Sequence, residues 1–205
     1  MVLQYGLSIL IAYLLGAIPS GYLVARSHRN VDILRHGSGR TGTTNVLRTL
    51  GWKAAGVVFA GDIAKGAAAV LVARYLTGGD PVAETIAGLV VVLGHTYSVF
   101  IGFKGGRGVA SGVAALFVLV PLAGLIAAGI AISAMAITRY VSLGSILGAV
   151  SAPITVAVLV FTQGEPLARL VYALVGAIFV VVTHKDNIGR LLSGTERRLG
   201  ERVNV

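Results

Sequence analysis

Three segments of this 205-residue chain carry glycines, hydroxyls and cations at spacings suited to holding anions. The first reads Gly37-Ser38-Gly39-Arg40-Thr41-Gly42-Thr43-Thr44-Asn45 and is followed by Arg48. Glycines let backbone N–H groups converge on an anion, Ser38, Thr43 and Thr44 add donors, and a helix start after them favours negative charge. Gly37, Gly39 and Gly42 formally fit GxGxxG, yet no strand precedes them and no βαβ unit surrounds them, so a dinucleotide fold is not expected. The plainer alternative is a flexible loop with helix-capping residues.

The second segment is Lys104-Gly105-Gly106-Arg107-Gly108, leading into an apolar run from Val109. Cations beside a bilayer are costly unless they meet anions, and phosphate is the natural partner. The Walker spacing is absent, so ATP is not indicated. A glycine turn with snorkelling cations is the competing reading. In the third segment His184 and Asn187, three residues apart, share a face if the boundary is helical, and present a base and an amide to one ligand. A juxtamembrane basic helix explains the same residues without a ligand. Ser142 beside Arg139 reads alone as a helix cap, and His95, inside an apolar run, as a hydrogen-bonded structural residue. Asp62 and Lys65, at i and i+3, read first as an ion pair within the membrane; the functional alternative puts Lys65 near a phosphate.

The elements that must position these residues are apolar. Hydrophobic residues make up 56% of the chain and charged ones only 12%, against about 25% in soluble domains, which excludes a soluble enzyme and a disordered chain. Twenty-eight glycines without a collagen period suit close helix packing in lipid. No cysteine is present, and the four histidines and eight acidic residues form no HExxH or EF-hand pattern, so no metal is expected. The net charge of +9 does not imply nucleic acid, because 13 of the 17 basic residues fall in the first loop, the second loop and the C-terminal tail. The positive-inside rule puts all three in the cytoplasm, where anionic headgroups attract them.

Spans are expected over 2–25, 54–76 and 86–103. The first lacks a basic n-region and an A-x-A-like site, so it is read as part of the mature chain. The 31 uncharged residues between Arg107 and Arg139 amount to roughly 46 Å of helix, more than one crossing needs. Pro121 is the expected break, giving helices at 109–120 and 122–138. Spans at 143–161 and 169–183 complete an all-α integral membrane protein of seven transmembrane helices, a single domain over 1–205, with its N-terminus outside and its C-terminus cytoplasmic.

Taken together, the segments resemble the bacterial acyl-phosphate:glycerol-3-phosphate acyltransferase family. The similarity runs from Ala12-Tyr13-Leu14-Leu15-Gly16 and Ser20-Gly21 through the GSG loop ending at Thr44-Asn45, Asp62 with Lys65-Gly66, Gly94-His95 to Gly108-Val109, Tyr140-Val141-Ser142-Leu143 and His184 to Glu196. It implies seven helices and transfer of a fatty acyl group from acyl phosphate to the 1-hydroxyl of sn-glycerol 3-phosphate, giving lysophosphatidic acid and phosphate. By matching positions, Ser38, Arg48, Lys104 and Arg107 handle phosphate groups, Ser142, His184 and Asn187 line the glycerol 3-phosphate site, and Ser38, His184 and Asn187 are the catalytic candidates. Thr44, Asn45 and the turn of Gly105, Gly106 and Gly108 complete the expected substrate contacts. The implied setting is the bacterial inner membrane with the active site facing the cytoplasm, as a monomer with membrane lipids as partners, no nucleic acid and no cofactor. Three positions depart from the family: Arg40 stands where GSGN has asparagine, Arg107 where GGKG has lysine, and Leu34 where the DIR sequence has arginine.

An acyl phosphate is already activated, so orientation and oxyanion charge are the main barriers, and cations with N–H groups serve both. Without HxxxxD or GxSxG, direct attack by the glycerol hydroxyl is expected, its proton going to His184 or to a substrate phosphate oxygen. A phosphate or organic-anion transporter and a non-catalytic scaffold are the rival classes. The one-sided placement of the polar loops opposes the first, and the glycine and cation segments oppose the second.

Overall fold

The computed structural model describes residues 1–202, so the last three residues of the expected domain lie outside it. The apolar stretches form helices in chain order: α1 (Val2–Ala17), α2 (Ser20–Arg29), α3 (Thr43–Leu50), α4 (Trp52–Thr77) and α5 (Pro81–Thr96). They continue as α6 (Val109–Leu119), α7 (Pro121–Thr138), α8 (Val141–Gln163), α9 (Leu167–Thr183) and α10 (Lys185–Leu192). The break at Pro121 and the helices on either side fall where the charge-free stretch placed them.

Two expected spans are redrawn. The stretch 2–25 is not one straight helix, because Pro19 pushes Ile18 out of helical geometry (ψ 112°) and splits α1 from α2. The Ile18 carbonyl accepts from the Ser20 N–H at 3.0 Å and from Lys65 Nζ at 2.9 Å, and the same ammonium lies 2.9 Å from Asp62 Oδ1. The buried Asp62–Lys65 pair therefore braces the break between α1 and α2, in line with its structural reading. The third span begins five residues earlier than expected, at Pro81, because the Asp80 carboxylate accepts from the N–H groups of Val82 and Ala83 at 2.9 Å and Pro81 starts the first turn. It ends at Thr96, before a 3-10 turn at Val99–Ile101.

Packing is inverted relative to a soluble protein. Alanines such as Ala69, Ala87, Ala115, Ala123 and Ala127 fill the interior, while Phe161, Ile137 and Ile154 point outward. Among the described residues five helical spans are long and apolar enough to cross a membrane, and α9 with α10, bent by 60°, makes a sixth when the pair is counted as one span. At 11 residues, α6 is shorter than a hydrocarbon core of about 30 Å requires.

Small residues set the helix spacing. A Cβ on Gly66 of α4 would lie 2.2 Å from the Ser111 carbonyl oxygen of α6. Gly66→Ala is expected to force these helices apart at a cost of about 1–3 kcal/mol and to lower the thermal midpoint in detergent. Gly56→Ala on the same helix, facing open space, should leave the midpoint unchanged.

Candidate active site

The first loop is built around Asn45. Its Oδ1 accepts from the Ser38 N–H at 2.9 Å, and its Nδ2 donates to the carbonyls of Arg40 at 2.8 Å and His36 at 3.0 Å. Gly37 sits at φ +61°, and a Cβ there would lie 2.1 Å from Asn45 Oδ1, so this turn requires glycine. The second loop folds onto the end of α5. A Cβ on Gly105 would meet the His95 carbonyl oxygen at 2.1 Å, and one on Gly106 would meet His95 Nε2 at 2.1 Å. Beneath the loop, His95 Nδ1 is 3.5 Å from Asp62 Oδ1. The third segment turns at His184 between α9 and α10, and Glu196 holds it to α8: Oε1 accepts from Ser142 Oγ at 2.9 Å and Asn187 Nδ2 at 2.6 Å, and Oε2 from Arg190 Nε at 2.8 Å.

These loops enclose a cavity of about 400 Å³. Ser38, Thr44, Asn45 and Arg48 line it from the first segment, Gly106, Arg107 and Gly108 from the second, and Ser142, His184 and Asn187 from α8 and the third. Two expected contacts do not line it. Lys104 is exposed, because the chain turns inward only at the buried Gly105-Gly106 pair that follows, and Gly105 is held against the His95 carbonyl. Asn45 reaches the wall, but its amide is committed to the loop backbone, so it shapes the loop rather than offering groups to a ligand. Arg40, Asp62, His95 and Glu196 also line the cavity without having been expected as substrate contacts, as does Thr43, one of the three hydroxyls expected to add donors. Arg40 carried a signal in its departure from GSGN and Thr43 in its glycine-rich segment; Asp62, His95 and Glu196 had none that spacing reveals.

Donors and acceptors are segregated. Thr43 Oγ1 and Arg48 Nε are buried without partners, and Arg107 is tied at Nε to the Thr183 carbonyl at 3.2 Å. Burial, then the field of Arg40, lowers the Arg107 guanidinium to about 10, so it stays charged at neutral pH. On the other wall Asn187 Oδ1 is buried without a partner, since its Nδ2 donates to Glu196. His184 Nδ1 lies 2.8 Å from the Val180 carbonyl, which can only accept, so Nδ1 carries the proton and Nε2 the lone pair. Burial would raise the Glu196 carboxyl, but the bonds from Asn187, Arg190 and Ser142 outweigh it and hold the group below its ordinary value, hence ionised.

Burial, then the Arg107 charge, depresses the His184 imidazole to about 4. Between about pH 4 and 6.5 the unfolded chain binds this proton and the folded chain does not, so the histidine favours folding less as pH falls through that window. Nitrogen chemical shifts of labelled histidine should show a neutral Nδ1–H imidazole at pH 6. A midpoint near 6.5 for this residue would contradict the geometry.

A second cavity, of about 190 Å³ and almost wholly apolar, lies between α5, α6, α7, α8 and α9. Gly108, Val109, Val113, Ala131 and Ser145 line both cavities, so the two are neighbours that share a wall.

Residues 6–194 match the family model described as glycerol-3-phosphate acyltransferase. The chain belongs to that family. It is 43% identical to the glycerol-3-phosphate acyltransferase of Thermoanaerobacter sp. (strain X514), covering 97% of this chain and 98% of the relative. It is 47% identical to a glycerol-3-phosphate acyltransferase of Thermus thermophilus, covering 97% of this chain and 96% of the relative. The fold is similar to crystal structures of PlsY (YgiH), an integral membrane glycerol 3-phosphate acyltransferase. The TM-score is 0.87 at 39% identity for the glycerol 3-phosphate form and 0.85 at 38% for the lysophosphatidic acid form, each covering 96% of both chains. This acyltransferase thus shares with its solved relatives an all-helical membrane architecture over nearly its whole length.

Proposed function

We propose that this membrane acyltransferase moves a fatty acyl group from acyl phosphate to the 1-hydroxyl of sn-glycerol 3-phosphate, as a single transmembrane domain whose cavity faces the cytoplasm. The observation that carries the reading is the adjacency of a cation-lined cavity and an almost wholly apolar one, which share Gly108 and Val109 in their walls and suit a reactant with a phosphate at one end and a fatty chain at the other. Seven crossings of the bacterial inner membrane, with the N-terminus outside, are supported by the basic loops and by the helix break at Pro121.

Donors and acceptors divide the work. Phosphate oxygens accept, and they suit Arg48, Arg107, Thr43 and the rim hydroxyl of Ser38. Glycerol hydroxyls donate, and they suit Asn187 Oδ1, His184 Nε2 and the lone pairs of Ser142. The 1-hydroxyl oxygen attacks the acyl carbonyl carbon, the bond from that carbon to the phosphate oxygen breaks, and its electron pair leaves with phosphate. A phosphate oxygen with a second pKa near 6 is a better proton acceptor at neutral pH than an imidazole held at about 4. His184 therefore orients the hydroxyl, and the proton leaves on phosphate.

Purified protein in detergent, given acyl phosphate and labelled glycerol 3-phosphate, should form lysophosphatidic acid without ATP, metal or a coenzyme A thioester. Phosphate uptake into sealed vesicles without acyl transfer would instead support a transporter. Gly176 lines the apolar cavity and its Cβ would meet nothing within 4 Å. Gly176→Phe should therefore fill the cavity without disturbing the helices. Displacing about two methylenes at ~0.8 kcal/mol each should lower the preference for a 16-carbon over an 8-carbon donor about tenfold in kcat/KM.

A further inference from the structure

We propose that Arg40 is a second guanidinium on the phosphate of the acyl donor, acting with Arg107 from the opposite loop. This rests on the acyl-phosphate reading above and narrows it to a residue outside the family's GSGN pattern. Arg40 lines the polar cavity, and its main chain is anchored there, because its carbonyl accepts from Asn45 Nδ2 at 2.8 Å. Among the described residues Arg26, Arg35, Arg74, Arg169 and Arg190 each have a carboxylate partner, whereas Arg40 has none. The two acids that line the cavity are already engaged, Asp62 by Lys65 and Glu196 by Arg190. Three guanidiniums, from Arg40, Arg48 and Arg107, thus share a cavity of about 400 Å³ uncompensated.

After burial, Arg40 is the first influence that depresses the Arg107 guanidinium, and it also acts on His184, so the two arginines feel one another across the cavity. Such repulsion is relieved only when an anion enters between them. Arg107 immediately precedes Gly108 and Val109, which line both the cation-lined and the apolar cavity. The phosphate at that point is the one attached to the fatty chain. Arg48, whose NH2 group donates to the Arg197 carbonyl at 3.2 Å, lies toward the C-terminal segment and the other headgroup. Two phosphates carry about −1.5 to −2 each, so Arg48 and Arg107 alone leave a deficit that Arg40 reduces.

The test is steady-state kinetics of the full chain in detergent for wild type, Arg40→Ala, Arg40→Asn and Arg40→Lys. Each substrate is varied with the other saturating, and inorganic phosphate is the product inhibitor. Loss of the guanidinium should raise KM for acyl phosphate about tenfold and weaken phosphate inhibition by a similar factor, with KM for glycerol 3-phosphate within about twofold of wild type. Arg40→Lys should recover part of the effect, and the salt dependence of KM for acyl phosphate should fall in the alanine and asparagine variants. A folded Arg40→Asn with unchanged KM for acyl phosphate, or with a rise confined to glycerol 3-phosphate, overturns the inference and leaves the donor assignment standing. Wild-type protein that makes no lysophosphatidic acid from acyl phosphate overturns both.

Discussion

Arg107→Ala is expected to lower kcat/KM for acyl phosphate by about 10²–10³-fold, the loss typical when one preorganised donor to developing charge is removed. The arginine lines the cation-lined cavity next to Gly108 and Val109, which line both cavities, and is fixed by its bond from Nε to the Thr183 carbonyl. No other cation precedes that shared wall in the second loop once Lys104 is seen to be exposed. Arg107→Lys should keep most of the activity, within about tenfold, because an ammonium supplies the charge and loses only the fork of donors. Rates measured across acyl-phosphate concentrations check both variants. An alanine variant within threefold of wild type would remove Arg107 from the site.

Gly105→Ala should be nearly as damaging although Gly105 does not line the cavity. Its Cβ would lie 2.1 Å from the His95 carbonyl oxygen, a backbone atom at the end of α5 that has no room to yield. The loop must lift, carrying Gly106 and Arg107 with it. Displacement of about 1 Å costs on the order of 10²-fold in an acyl transfer that depends on alignment. The expected result is a loss of about 10²-fold in kcat/KM while the protein still purifies as a folded species, with Gly56→Ala unaffected. A Gly105→Ala variant of wild-type activity would show that the loop does not position Arg107.

Much of the helical frame was legible because charge and proline are local signals. A 31-residue gap in charge divided by Pro121, and an acid and a base three residues apart, each have few physical solutions. A count of apolar residues passes through Pro19, whereas the structure turns there and braces the Ile18 carbonyl with Lys65 as well as with the Ser20 N–H. The site was harder to read where roles depend on distant partners. Lys104 and Arg107 flank the same glycines, and only the packing of Gly105 on α5 decides which one turns inward. Glu196 is one of three acids in a basic tail, and its function becomes visible when Ser142, 54 residues earlier, donates to it. Asn45 looks like a ligand by residue type and is consumed by its own loop.

The proposed reaction brings both anionic headgroups into the cavity together, with no acyl group resting on the protein. The initial-velocity pattern tests this most directly, with acyl phosphate varied at several fixed concentrations of glycerol 3-phosphate. Double-reciprocal lines should intersect, and no phosphate should be released until glycerol 3-phosphate is added. Parallel lines with a stoichiometric burst of phosphate from acyl phosphate alone would mean that the acyl group passes first to the enzyme.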